Sequence, residues 1–350
     1  MNYDEFKKYL KSENIDKNIF LLYGEEVFLK SHGKKELLSR ISPDDMSEFN
    51  IFAYEGKKYD LISVREAIEA LPVFSDRKLL IFENSGIFSL TGKDAVTKEY
   101  REFWEEIVDD IPSDVYIVFD EEKVDKRSSV YKKLLKKDSV VEFSYLSENQ
   151  MINWTIALFK TMGKIIGPHD AKYLIEITQE GMTPVKREAE KIAAYTQGKT
   201  AITRQDIKDV TVPVVENRVF DMVDALLSKN SQSALAMLND LLTLKEDETR
   251  ILGAISSNAD KLLTVKLLSD DKVDRAMIAS KAKIAPFIVS KYITLSSKYN
   301  SNDLKELLTK CIEIDRLFKL SRGDKAVILQ SFIAEFAEKN NFIKSSQIST

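Results

Sequence analysis

The sequence predicts an α/β domain built on a five-stranded, mostly parallel sheet, followed by a small helical domain and an all-α bundle. Three observations carry this prediction. Short apolar runs rich in Val, Ile, Phe and Tyr alternate with helical patterns up to residue 143; the strand signal then disappears; from residue 216 onward one amphipathic helix follows another. The expected division is 1–143, 144–213 and 214–340, with a polar tail at 341–350.

The expected strands are 19–23, 49–54, 79–82, 115–119 and 140–143. Between the second and third lies the clearest helix, 60–71, in which Leu61, Val64, Ala67, Ile68 and Leu71 recur at helical spacing after Asp60 as N-cap. Ser147 and Gln150 have capping-box spacing and open the helical region. Gly163, Gly167-Pro168, Gly181 and Gly198 then punctuate short helices down to Pro213. The bundle helices are expected at 219–227, 234–244, 249–268, 276–282, 286–299, 304–320 and 325–338.

With 44% hydrophobic and 31% charged residues, 350 residues suffice for two or three domains with their own cores. A net charge of −4 advertises no strong nucleic-acid or membrane surface, so any DNA contact must be local. The charged N-terminus lacks a secretory core, and no stretch approaches a membrane span, so a cytoplasmic protein is expected. Cys311 is alone, which excludes an intramolecular disulfide, and it reads as a buried thiol. His32 and His169 sit apart beside turn residues; no metal site and no catalytic triad is expected.

A first strand that ends in glycine directs attention to a phosphate cradle over Gly24-Glu-Glu-Val-Phe-Leu-Lys-Ser-His-Gly33. A phosphate loop needs two glycines five apart followed by Lys and Ser or Thr. Here they are nine apart, and Glu25 and Glu26 put carboxylates where phosphate would sit. Val115-Tyr-Ile-Val-Phe-Asp120-Glu121 has the form of an acidic magnesium-binding strand, yet such endings are common on buried strands and the phosphate loop is missing. At the third strand, Asn84 follows Glu83 where a catalytic Glu would be needed. No catalytic, cofactor or metal residue is therefore assigned.

Several stretches, in this order, resemble the delta subunits of bacterial DNA polymerase III clamp loaders. They are Phe20-Leu-Leu-Tyr-Gly-Glu-Glu26, Leu71-Pro-Val-Phe-Ser-Asp-Arg-Lys-Leu-Leu-Ile-Phe-Glu-Asn84, Lys123-Val-Asp-Lys-Arg-Ser128 with Tyr131-Lys-Lys-Leu134, Arg187-Glu-Ala-Glu-Lys-Ile-Ala-Ala-Tyr195 after Gly181, and Phe220-Asp-Met-Val-Asp-Ala225. The resemblance spans about residues 17 to 338 and implies an AAA+ like sheet domain, a helical lid and a helical collar. It further implies a subunit of the polymerase holoenzyme that binds and opens the beta sliding clamp without hydrolysing ATP. The implied partners are the clamp, the gamma/tau and delta prime subunits through the collar, and primed DNA; no cofactor and no membrane are implied. An active AAA+ ATPase with a degenerate phosphate loop and a helical adaptor are the competing readings.

By the same resemblance the clamp-binding element falls on Leu71, Pro72, Val73, Phe74 and Ser75. From pattern alone Val73 and Phe74 read as packed under the sheet, whereas the resemblance implies that they project outward. Lys319, Arg322 and Lys325 flank the turn at Gly323 and are candidate phosphate contacts; no strand-separating aromatic stands near Arg322. Lys126 and Arg127 form a basic cluster that lacks the Ser-Arg-Cys pattern of ATP-completing loader subunits, and it reads as a solvated or subunit-contacting loop. Lys186 and Arg187 stand at the lid position of a phosphate-sensing arginine.

Overall fold

The computed structural model describes residues 1–12, 15–42, 48–92, 95–178, 180–212, 215–320 and 323–338. It divides into two compact units, Met1–Tyr145 and Leu146–Thr350. The first unit runs α1 (Tyr3–Leu10), β1 (Ile19–Tyr23), α2 (Val27–Ile41), β2 (Ile51–Glu55), α3 (Leu61–Glu69), β3 (Lys78–Glu83), α4 (Lys98–Ile107), β4 (Val115–Glu121), α5 (Ser129–Lys136) and β5 (Val140–Glu142). Its sheet has the order β2-β3-β4-β1-β5, and every neighbouring pair is parallel.

Parallel strands covered on both faces must be apolar on both faces, and β1 is buried at all five positions. One face carries Leu21, Phe82, Ile117 and Phe119 against Ile68 of α3, Trp104 of α4 and Leu134 of α5. Phe82 is its aromatic centre, 4.8 Å from the Trp104 ring and 5.2 Å from Phe119. The opposite face packs Phe20 near Phe6 of α1, ring centroids 6.4 Å apart. The edge strand β2 is exposed at Ile51, Ala53 and Glu55 and half-buried at Phe52 and Tyr54.

The second unit continues with α6 (Glu148–Thr161), β6 (Ile165–Ile166), α7 (Pro168–Ile177), α8 (Met182–Tyr195), β7 (Ala201–Ile202), α9 (Arg204–Val210), α10 (Val215–Leu227), α11 (Ser231–Thr243), α12 (Glu248–Asp270), α13 (Arg275–Ala282), α14 (Val289–Ser296), α15 (Ser301–Leu320) and α16 (Lys325–Glu338). Ser147 and Gln150 form the capping box of α6. The bundle core gathers Phe220, Leu238, Ile255, Leu262, Leu307 and Phe332. The expected sheet domain, small helical part and helical bundle are all present. The small helical part and the bundle lie in one compact unit, where Ser290 Oγ donates to Glu148 Oε2 at 2.9 Å and Asn217 Nδ2 to the Thr178 carbonyl at 3.2 Å.

Four details differ from the expectation. The strand signal does return after residue 143, in the parallel pair β6 and β7, whose two residues each are too short to register as a periodicity. Residue 49 belongs to a 3-10 turn, Glu48–Asn50, ahead of β2. The expected helix at 286–299 opens as a 3-10 turn, Pro286–Ile288, before α14. Helix α3 ends at Glu69, not at Leu71: Ala70 is already extended, and Leu71 is restricted by the following Pro72.

Candidate functional site

The loop from β1 into α2 occupies the position of a phosphate cradle, and the chain fills it with its own groups. Gly24 has φ +134°, and a Cβ there would lie 2.3 Å from the Phe143 carbonyl oxygen. Glu26 N–H donates to that same carbonyl at 3.0 Å. The Glu26 side chain is buried and caps α2, accepting from Phe28 N–H at 3.2 Å. A carboxylate thus meets the N-terminal dipole of the helix where a nucleotide phosphate would bind. Gly33 is a packing residue, because a Cβ there would lie 3.0 Å from the Phe143 ring.

The acidic end of β4 is likewise engaged. Asp120 accepts from Lys30 Nζ and from Lys34 Nζ, both at 2.8 Å, and Lys34 also reaches Glu83 Oε1 at 2.5 Å. Lys30 Nζ donates in addition to the Glu121 carbonyl at 2.8 Å. Burial works against the Asp120 carboxylate, but the two ammonium groups outweigh it and hold its pKa below the ordinary value. Two lysines of α2 therefore stand where a magnesium ion would bridge to phosphate. Asn84, beyond β3, adopts φ +51° and donates its N–H to the Asp120 carbonyl at 3.0 Å.

Glu121 points to the other side of β4, buried, and accepts from Ser85 N–H at 2.9 Å and from Ser85 Oγ at 2.5 Å. Burial pushes its pKa from 4.5 up to about 7 despite those donors. Between these values the folded chain keeps a proton that the unfolded chain has released, so this group's contribution to stability falls as pH rises to about 7 and is level above it. Glu121→Gln should remove that decline: the stability of the variant relative to wild type should rise by ~1–3 kcal/mol between about pH 5 and about pH 8. Urea unfolding at the two pH values measures it; a difference that stays constant would exclude the shift.

On the opposite, N-terminal side of β3, the chain leaves α3 in an exposed corner at 70–77. Leu71 is 83% exposed, Val73 is exposed, and Phe74 is 96% exposed. Pattern alone had placed Val73 and Phe74 under the sheet; they project from it. Phe74 adopts φ +53°, a left-handed conformation that an aromatic residue takes only under constraint. The constraint is visible on both flanks. Asn50, 1% exposed, donates Nδ2–H to the Val73 carbonyl and accepts from Val73 N–H, each at 2.7 Å. Buried Lys78 closes the C-terminus of α3, donating to the Ala67 and Ile68 carbonyls at 2.5 and 3.0 Å and also to that of Ala70. Pro72 and Ser75 are half-buried, and Ser75 Oγ accepts from Arg77 N–H at 3.4 Å.

Asn50 is not singled out by the sequence, and Lys78 enters only as part of the stretch Leu71 to Asn84, with no role of its own. No local signal marks them, since each acts across a turn of the fold. The remaining candidates are dispersed. Arg127 is closed onto its own neighbour Asp125, at 2.7 Å, and Lys126 onto Glu142 at 3.0 Å. Lys186 pairs with Glu190 at 3.8 Å, while Arg187 is exposed. Lys319 pairs with Asp315 at 2.6 Å along α15, whereas Lys325 donates to Thr249 Oγ1 at 3.2 Å and lies over the Phe318 ring. Arg322 lies outside the described residues. His32 and His169 are exposed, and Cys311 is buried with its thiol pKa pushed up to about 12.

Both units match known protein families. Residues 20–144 match the family described as DNA polymerase III, delta subunit, and residues 216–336 match the DNA polymerase III delta subunit, C-terminal domain. The chain belongs to the DNA polymerase III delta-subunit family. Among members of this family, the DNA polymerase III subunit delta of Bacillus subtilis (strain 168) is 22% identical over 92% of this chain and 93% of the relative. The probable DNA polymerase III subunit delta of Aquifex aeolicus (strain VF5) is 26% identical over 96% and 95%. The solved structure of the Bacillus subtilis DNA clamp loader delta protein shares the fold, with a TM-score of 0.68 at 21% identity over 96% of this chain and 99% of that one. Among the described residues of this delta-family chain, no helix is long and apolar enough to cross a membrane.

Proposed function

We propose that this delta-family chain binds the beta sliding clamp through Leu71, Pro72, Val73, Phe74 and Ser75, and favours the clamp's opened form for loading onto primed DNA. The observation that carries this reading is Phe74, almost wholly exposed yet held in a fixed left-handed conformation by the anchored peptide of Val73. An aromatic that is ordered before binding loses little freedom when it enters a partner's apolar pocket. The clamp is opened only to the extent that the corner binds its open form more tightly than its closed form.

In this reading the chain does not hydrolyse ATP. Glu26 on the α2 N-terminus and the Lys30–Asp120–Lys34 cluster support that, because a triphosphate and its magnesium would have to displace both. Exposed Ile312, Leu317 and Leu320 on α15 support assembly with gamma/tau and delta prime subunits through the C-terminal helices. Lys319, Arg322 and Lys325 are the proposed cationic contacts to DNA phosphate, with Lys319 first releasing Asp315.

The test is to titrate the purified chain with a bacterial sliding clamp and, separately, to assay it for ATP turnover. Saturable clamp binding without turnover is expected. Turnover above background would favour an ATPase with an unusual phosphate site, and absence of clamp affinity would favour an adaptor.

A further inference from the structure

Five of the eight exposed large apolar side chains described in the first unit are Phe49, Ile51, Leu71, Val73 and Phe74. They are far apart in sequence but meet at one end of the sheet. Strands β2 and β3 pair in parallel from Ile51 opposite Leu79, so 49–51 and the 70–77 corner both lie at the N-terminal ends of the same two strands. Asn50 fastens them together: its buried amide makes two hydrogen bonds, both 2.7 Å, to the two backbone groups of Val73. Phe49, 76% exposed on its 3-10 turn, and Phe74 are each one residue from that junction. Adjacent Cα atoms lie ~3.8 Å apart, so the backbones of Phe49 and Phe74 leave this junction close to one another, and both side chains are exposed there.

Area gives the surface its purpose. A stable specific interface buries about 800 Å² on each partner, and one aromatic side chain contributes ~150–250 Å². Leu71, Val73 and Phe74 supply one exposed aromatic and two aliphatic side chains towards that area, and Phe49 and Ile51 add a second aromatic and a third aliphatic.

We propose that Phe49 is a second aromatic anchor for the same sliding-clamp partner, and that Asn50 is the positioning residue that sets the separation of the two rings. This rests on the clamp-binding reading above. Its occupant is a protein face with two neighbouring apolar pockets, one for each ring.

Equilibrium titration of the full chain with the sliding clamp tests it, using wild type, Phe49→Ala, Phe74→Ala, Asn50→Ala and the exposed control Ile62→Ala on α3. Phe49→Ala should weaken binding by ~5- to 30-fold with an unchanged unfolding midpoint, and Ile62→Ala by less than about twofold. In Asn50→Ala, shown to be folded by circular dichroism, the Phe74→Ala substitution should cost clearly less affinity than in wild type, because the ring is no longer held in place. A purely structural Asn50 would leave that cost unchanged. If wild type binds and Phe74→Ala abolishes binding while Phe49→Ala stays within about twofold of wild type, the second anchor is wrong and the clamp-binding reading stands. If wild type has no clamp affinity, both fall. Loss of self-association in Phe49→Ala, with clamp affinity intact, would assign the surface to a second copy of the chain and overturn the proposal.

Discussion

Phe74→Ala is expected to weaken sliding-clamp binding by about 30- to 1,000-fold, equivalent to ~2–4 kcal/mol, while leaving the stability of the chain unchanged. The two halves of this expectation have one cause. A side chain that is 96% exposed contributes almost no buried area to its own fold, so its removal leaves no cavity. In a complex the same ring would be wholly desolvated, and its truncation would remove an anchor at the centre of the contact. Phe74→Gly separates conformation from contact. Glycine relieves the left-handed φ, so stability should rise by up to ~1–2 kcal/mol while affinity falls at least as far as in the alanine variant. Calorimetric titration against the clamp and thermal unfolding of the free chain measure the two quantities. A folded alanine variant that retains wild-type affinity would remove Phe74 from the interface.

Asp120→Ala is expected to destabilise the first unit by ~3–5 kcal/mol, a large part of the stability of a domain this size. The carboxylate stands between two largely buried ammonium groups at 2.8 Å. Its removal leaves Lys34 with Glu83 and Lys30 with the Glu121 carbonyl. The pH dependence carries a distinct signature. Because the folded pKa of Asp120 is depressed, its stabilisation is complete above the unfolded value of 3.8 and is lost as pH falls through the folded value. The gap between wild type and variant should therefore be constant near neutrality and narrow in acid. Urea unfolding at about pH 7 and about pH 3 checks this; a gap below ~1 kcal/mol at neutral pH would mean that the cluster is not a structural device. Loss of activity in this variant is consequently no evidence of catalysis unless the protein is shown to be folded.

Much of this was legible in the sequence. The runs at 19–23 and 115–119 are continuously apolar because their strands are covered on both faces, and continuous burial leaves an unmistakable composition. Asp60 and Ser147 cap α3 and α6 through backbone groups two or three residues away, which is why both starts could be read locally. The broken spacing of Gly24 and Gly33 and the presence of Glu26 marked the phosphate position as altered. The two-residue strands β6 and β7 were not legible, since pairing over so short a length leaves no pattern.

The residues of the exposed corner were named from the sequence through a family resemblance, but their geometry was not. Leu71 fits the apolar repeat of α3, and nothing local says that the helix stops at Glu69; Pro72 and the ammonium of Lys78 decide that. Val73 and Phe74 look like core by composition, and Asn50, 23 residues upstream, turns them outward. Lys34 meets Asp120 across 86 residues of sequence. Capping and periodicity act within a few residues and so are written in the sequence itself. The pairing of Asn50 with Val73, and of two lysines with one aspartate, exists only once parallel strands have brought distant segments together, and it belongs to the tertiary structure alone.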